Sequence, residues 1–144
     1  PSGPVAEEMK GKTYMLENGK LKKRDGKLNP KHFILYFSAS WCGPCCRNAP
    51  HSVEAYNRVV KDNPDVEVIM CNLDQNLDAA QKWAAANNMP WPILLKEDLT
   101  ELAKKVAPRG IPTMILVYKD GKPIQSSQNM EQLVKAIGSS RSSR

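Results

Sequence analysis

The sequence predicts an α/β fold: a central mixed β-sheet with helices on both faces. Three observations carry that expectation. Strand-like apolar runs alternate with segments of helical periodicity, an order that calls for parallel pairing between the strands. The run His32–Ser38 is apolar almost throughout, as a strand covered on both faces must be. Late in the chain, Asp120-Gly121 separates two strand-like runs and predicts a tight turn, hence one antiparallel pair. The 144 residues suit a single domain, and 41% hydrophobic with 25% charged side chains exclude wholesale disorder.

Taken in order, residues 1–12 lack periodicity and read as a flexible lead. Thr13–Leu16 and Lys20–Lys23 flank Glu17-Asn18-Gly19, a short hairpin signalled by Asn-Gly. Arg24–Pro30 is turn-rich, and His32–Ser38 is the first buried strand. Val53, Tyr56, Val59 and Val60 then recur at helical spacing until Asn63-Pro64 ends the helix. Val66–Leu73 is a second buried strand. Leu77–Asn87 is an Ala-rich helix with Leu77, Ala80, Trp83 and Ala84 on one stripe, and Leu99–Val106 is a shorter helix. Ile111–Lys119 and Pro123–Ser127 are the strands around the Asp-Gly turn. Asn129, with Gln132 three residues on, is an N-cap opening a last helix to about Ile137. Gly138 then caps it, so the domain is expected over 13–138 and residues 139–144 form a disordered tail.

The formal charge of +6 invites a nucleic-acid or membrane reading. Residues 1–31 hold eight basic side chains against four acids, and Arg141 and Arg144 close the chain, whereas residues 32–140 balance at eleven of each sign. The surplus therefore belongs to the ends. No aromatic residue interleaves with Lys22-Lys23-Arg24 as a single-strand stacking surface would need, so nucleic acid is not expected as a partner. The longest apolar runs are about five residues, far short of the roughly twenty a membrane span requires. The chain begins Pro-Ser-Gly-Pro rather than Met, which leads us to expect the loss of a signal peptide, a longer N-terminus or a tag. The compartment stays open: cytoplasmic, or periplasmic if a signal or anchor was removed.

Four cysteines, at 42, 45, 46 and 71, are too few for a disulfide scaffold, and the clustering of three points to chemistry. Trp41-Cys42-Gly43-Pro44-Cys45 lies directly after a buried strand and before a helix. A cysteine at a helix start faces unpaired N–H groups and the positive end of the dipole, which favour thiolate and lower the pKa from about 8.5 toward roughly 3.5–7.5. Pro44 costs nothing within the first turn. The three-residue spacing brings the two Cα atoms to about 5–6 Å, which a disulfide can bridge. Cys42 is then the attacking thiolate, and Cys45, one turn in, resolves the mixed disulfide. Zinc lacks a second ligand pair: His51 is nine residues from Cys42, about 180° round the helix, so no metal site is expected. Haem attachment needs His where Cys46 stands. Cys46 is either a third redox thiol or a small residue packed under the loop, the second being preferred. Cys71 reads as core, and His32 and His51 as surface or capping residues. Trp83 reads as core, while Trp91 either braces its segment or walls a groove.

Trp-Cys-Gly-Pro-Cys resembles the active-site motif of thioredoxins, and further residues agree. Pro50, five residues after Cys45, stands where thioredoxins kink this helix. Asn72-Leu73-Asp74-Gln75-Asn76 resembles their run after the next strand, and Arg109-Gly110-Ile111-Pro112-Thr113 their cis-proline loop. Within the superfamily, Phe37-Ser38-Ala39-Ser40-Trp41-Cys42 and Met89-Pro90-Trp91 are most similar to tryparedoxins and nucleoredoxins. The long segment from Asn76 to Arg109 is similar to tryparedoxins and TlpA/ResA-like reductases. The resemblance covers about residues 32–138 and implies a thioredoxin fold. It also implies that Ile111 offers backbone groups to an extended substrate, that Pro112 holds the chain against the thiols, and that Trp41, with Gly43 and Pro44, shapes the docking surface.

Departures from the pattern matter as much. The buried acid that thioredoxins place six residues before the nucleophile is Tyr36 here, and its lysine partner corresponds to Met70, so the resemblance does not extend to carboxylate-assisted deprotonation of Cys45, and water or another group must serve. Leu73 stands where tryparedoxins often carry Trp, which argues against a trypanothione-like partner. The expected function is reduction of protein disulfides by dithiol exchange, with an external thiol reductant, no bound cofactor and a monomeric chain. Oxidase or isomerase activity, or a redox-gated adaptor without turnover, are the alternatives.

Overall fold

The computed structural model describes residues 2–26 and 28–142. The elements are α1 (Pro4–Met9), β1 (Thr13–Glu17), β2 (Lys20–Lys23), β3 (His32–Ser38), α2 (Gly43–Ala55), a π-helical turn at Tyr56–Val60, β4 (Val66–Asn72), α3 (Leu77–Asn87), β5 (Ile93–Leu95), α4 (Glu101–Val106), β6 (Thr113–Tyr118), β7 (Pro123–Ser127) and α5 (Met130–Ser142). Seven strands form one mixed sheet in the order β2-β1-β5-β4-β3-β6-β7. Parallel β3–β4 and β4–β5 pairs are flanked by antiparallel β1–β5, β3–β6 and β6–β7 pairs, the arrangement of the thioredoxin fold.

Strand alternation sorts the core into two layers. Ile34, Tyr36, Val68, Met70, Met114 and Leu116 face α2, α3 and α5. Phe33, Leu35, Phe37, Ile69, Cys71, Ile115 and Val117 face the opposite side, where Val5, Ala6 and Met9 of α1 and Ala103 of α4 cover them. Helices on both faces thus follow directly from strands that are apolar on both faces.

The flexible lead expected over residues 1–12 is corrected by α1. Six residues are too short to display helical periodicity, yet Val5, Ala6 and Met9 fall on one stripe and close the open face over β3. Docking is tight: Val5 N donates to Lys119 O at 3.1 Å, and a Cβ on Gly3 would stand 2.5 Å from that same oxygen. The predicted hairpin is present, with Asn18 and Gly19 both at positive φ, 51° and 78°. Asp120-Gly121 turns β6 into β7, Gly121 N donating to Tyr118 O at 2.9 Å.

Two further elements differ from expectation. β5 occupies three residues behind Pro90-Trp91-Pro92, too short and too proline-rich to read as a strand, and it joins the hairpin to the sheet. At the other end, α5 continues past Gly138, which does not take the left-handed backbone a capping glycine needs. Residues 139–142 of the expected tail are therefore helical, and 143–144 lie outside the described residues. Its start is as predicted, Asn129 Oδ1 accepting from Gln132 N at 3.1 Å.

Candidate functional site

β3 delivers the chain into a short loop, Ala39-Ser40-Trp41, that sets Cys42 at the N-cap of α2. Cys42 keeps extended backbone (φ −103°, ψ 114°), and its Sγ accepts from Cys45 N at 3.3 Å, the bond a capping side chain makes. Pro44 sits in the first turn, where it costs no hydrogen bond. Across from the helix start, the Ile111–Pro112 peptide is cis, and Ile111 O accepts from Cys42 Sγ at 3.7 Å. The structure therefore brings Cys42, Cys45, Ile111 and Pro112 together, with Gly43 and Pro44 exposed beside them.

Exposure separates the thiols. Cys42 is 9% exposed, Cys45 fully covered, and all four cysteines are free. Burial, reinforced by the Cys42 sulfur, pushes the Cys45 thiol up to about 11. Cys71 lies in the core, as expected. Cys46 does not pack under the loop: it is exposed, and its Sγ donates to Ser40 O at 3.2 Å. Among the described residues, no group of three His, Cys, Asp or Glu side chains could hold a metal ion, and no helix is long and apolar enough to cross a membrane.

The loop ahead of Cys42 is held by a residue to which the sequence assigned no role. Asp74, 3% exposed just past β4, accepts from Ser40 Oγ at 2.6 Å, Ser40 N at 3.1 Å and Asn72 Nδ2 at 2.9 Å. Ser40 is thereby gripped at N and Oγ by Asp74 and at O by Cys46. Trp41 is tied to the same strand end, Nε1 donating to Leu73 O at 3.1 Å, while 65% of the residue stays exposed. The signal available in sequence was only the Asn72–Asn76 run itself.

Behind the thiols, Tyr36 pairs with Met70 in register, so the positions of the absent acid and lysine are adjacent as the resemblance implied. The Tyr36 hydroxyl donates to Asn48 Oδ1, which also accepts from Ser52 Oγ at 3.0 Å. Burial pushes Tyr36 up to about 12. Asn48 Nδ2 continues to Gln128 O at 3.2 Å, and Gln128 Nε2 to Pro112 O at 3.0 Å, tying α2 to the cis-proline loop. Trp91 is wholly buried, edge-on to Tyr36 and Tyr56, and so braces the core; it walls no groove. His32, expected as a surface or capping residue, is buried in β3 against Tyr118. His51 is exposed on α2.

Comparison with known proteins agrees with this fold. The chain is 31% identical to the tryparedoxin of Trypanosoma brucei brucei over 115 residues, 76% of each protein. It is 30% identical over 121 residues to the thiol-disulfide oxidoreductase ResA of Bacillus thuringiensis subsp. konkukian, covering 82% of this chain and 67% of that one. The crystal structure of a thioredoxin from Wuchereria bancrofti superposes with a TM-score of 0.69 at 25% identity, over 99% of this chain and all of that one. The chain also matches plant and animal nucleoredoxins, spanning 24% of the length of a probable rice nucleoredoxin 3. A family model described as thioredoxin-like matches residues 29–123, well over half the sequence, and on that match the chain belongs to the thioredoxin-like family, alongside thiol–disulfide oxidoreductases.

Proposed function

We propose that this chain reduces protein disulfides by dithiol exchange at Cys42 and Cys45. The observation that carries the reading is the placement of Cys42 Sγ, 3.3 Å from Cys45 N at a helix start and 3.7 Å from Ile111 O. In that geometry the Cys42 thiolate attacks one sulfur of a substrate disulfide, and the other leaves as a thiol after taking a proton. Cys45, having lost its proton, then attacks the Cys42 sulfur, releases the second substrate thiol and leaves a Cys42–Cys45 bridge. Two electrons pass to the substrate, and an external thiol reductant restores the pair. Substrate backbone docks along Ile111 and Pro112, with exposed Trp41, Gly43 and Pro44 forming the rim. The Gly-Pro pair between the cysteines supports the reductive direction by its likeness to thioredoxins.

Insulin reduction with dithiothreitol as the recycling thiol tests this. The wild-type chain is expected to turn over and Cys42→Ser to fall to the background rate of the reductant. Equal rates for both would overturn the assignment.

A further inference from the structure

The resolving step poses a problem that the structure answers. Cys45 must lose a proton in a fully covered site, its burial and the neighbouring Cys42 sulfur oppose that loss, and the family's buried carboxylate is replaced by Tyr36. Tyr36 does not fill the gap, because its hydroxyl is committed to Asn48 Oδ1.

Ser38 is different. It is the last residue of β3, two beyond Tyr36 and therefore on the same face of the sheet, the face packed on Cys45 and Ala49. Its backbone is fixed at both ends of the pairing, opposite Asn72 on β4 and through Leu73 N donating to Ser38 O at 2.9 Å. The residue is wholly buried, yet its Oγ has no completed hydrogen bond. A buried hydroxyl left unpaired costs stability and calls for an explanation. The groups within its influence are the Cys45 thiol and the Tyr36 hydroxyl. Acting on Cys45 are also the backbone of Ala39 and the Cys42 sulfur at the helix start, while Tyr36 feels Ser52 and, in turn, Cys45; among the described residues neither a carboxylate nor a cation acts on either group.

We propose that the Ser38 hydroxyl is a catalytic group of the resolving step, a donor held ready for the Cys45 sulfur and engaged fully only when that sulfur becomes a thiolate. This deepens the dithiol-exchange reading above and rests on it. The donor is idle in the resting dithiol and used as charge develops, which is how a preorganised site lowers a barrier without lowering the ground state. In the step itself, Cys45–SH gives its proton to solvent, the Cys45 thiolate attacks Cys42 Sγ, the bond from Cys42 to the substrate sulfur breaks, and the substrate thiolate leaves with the electron pair and is protonated by solvent. Ser38 keeps its own proton throughout.

The probe is 5,5′-dithiobis(2-nitrobenzoate), because attack and resolution each release one coloured thiolate and separate as two kinetic phases. All variants carry Cys46→Ser so that the exposed third thiol adds no release. With Ser38→Ala, the first phase is expected to stay within about twofold, and the second to slow by about ten- to hundredfold at pH 7, the effect of one hydrogen bond to a charged group. Its pH midpoint rises by about one to two pH units, since the thiolate has lost a donor. The melting temperature is unchanged or higher, because an unpaired buried hydroxyl has been removed. Ser38→Thr, which restores a hydroxyl, recovers the second phase. A second phase in Ser38→Ala of unchanged rate and pH midpoint overturns the proposal, as does equal slowing of both phases with no pH shift. The underlying reading fails separately: its mark is a second phase that survives in Cys45→Ser.

Discussion

Asp74→Ala removes the acceptor of three hydrogen bonds at once and leaves Ser40 N, Ser40 Oγ and Asn72 Nδ2 without it. Hydrogen bonds to a charged group are worth about 1.5–3 kcal/mol each, and stranded buried donors about 1–3. These terms overlap, and breaking such a buried network costs about 4 kcal/mol. For a chain of this size that is a fall of about 12 °C in melting temperature. The assay is thermal unfolding followed by circular dichroism under reducing conditions, for Asp74→Ala, Ser40→Ala and the double variant. The double-mutant cycle should return a coupling of at least about 1.5 kcal/mol, since Ser40 Oγ at 2.6 Å is the shortest of the three. The rate of first-phase thiolate release should fall about tenfold, because the loop that aims Cys42 loses its anchor. A fall of less than about 3 °C, or energies that add within about 0.5 kcal/mol, would refute the clamp.

Other consequences are equally open to measurement. With the Cys45 thiol raised to about 11, the resolving phase should climb about tenfold per pH unit from pH 7 to 10 and level near 11; a flat profile between pH 7 and 9 would contradict the burial argument. The same shift bears on stability. The native state holds this proton more tightly than the unfolded chain does, so the contribution is complete below about pH 9 and is lost as pH rises through about 11, which chemical denaturation across that window would show. Gly3→Ala sets a Cβ 2.5 Å from Lys119 O and should undock α1, lowering stability by about 2–3 kcal/mol; an unchanged melt would mean α1 is not held as described. Trp41→Ala should raise KM for insulin several-fold while leaving the dithiobis-nitrobenzoate phases nearly unchanged, because exposed apolar surface serves a large substrate more than a small one.

What could be read from the residues follows from what the signals are made of. β3, β4 and β6 announce themselves through runs of four or five consecutive apolar residues, and Asn18-Gly19 through a turn that only positive-φ residues make easily. α1 and β5 do not, because six and three residues carry no measurable period; their identity comes from the sheet they complete. At the candidate site, Cys42 and Cys45 are legible because disulfide chemistry ties them to a fixed spacing, and Pro112 only through the resemblance of Arg109–Thr113 to the cis-proline loop of thioredoxins. Asp74, Ser38 and Asn48 are not, since each acts through a contact with residues distant in sequence or through an absence of one. Cys46 shows the limit most clearly: a position three residues inside a helix suggests packing, and only the path of the Ser40 carbonyl places its thiol at the surface in the clamp.

The most direct test of dithiol exchange is intact-mass and peptide mass spectrometry of the Cys45→Ser variant mixed with reduced-and-reoxidised insulin. The account predicts a stable one-to-one mixed disulfide carried on Cys42, dissolved by dithiothreitol and absent from Cys42→Ser. An adduct mapped to Cys46 in place of Cys42, or none under conditions where the wild-type chain turns over, would contradict it.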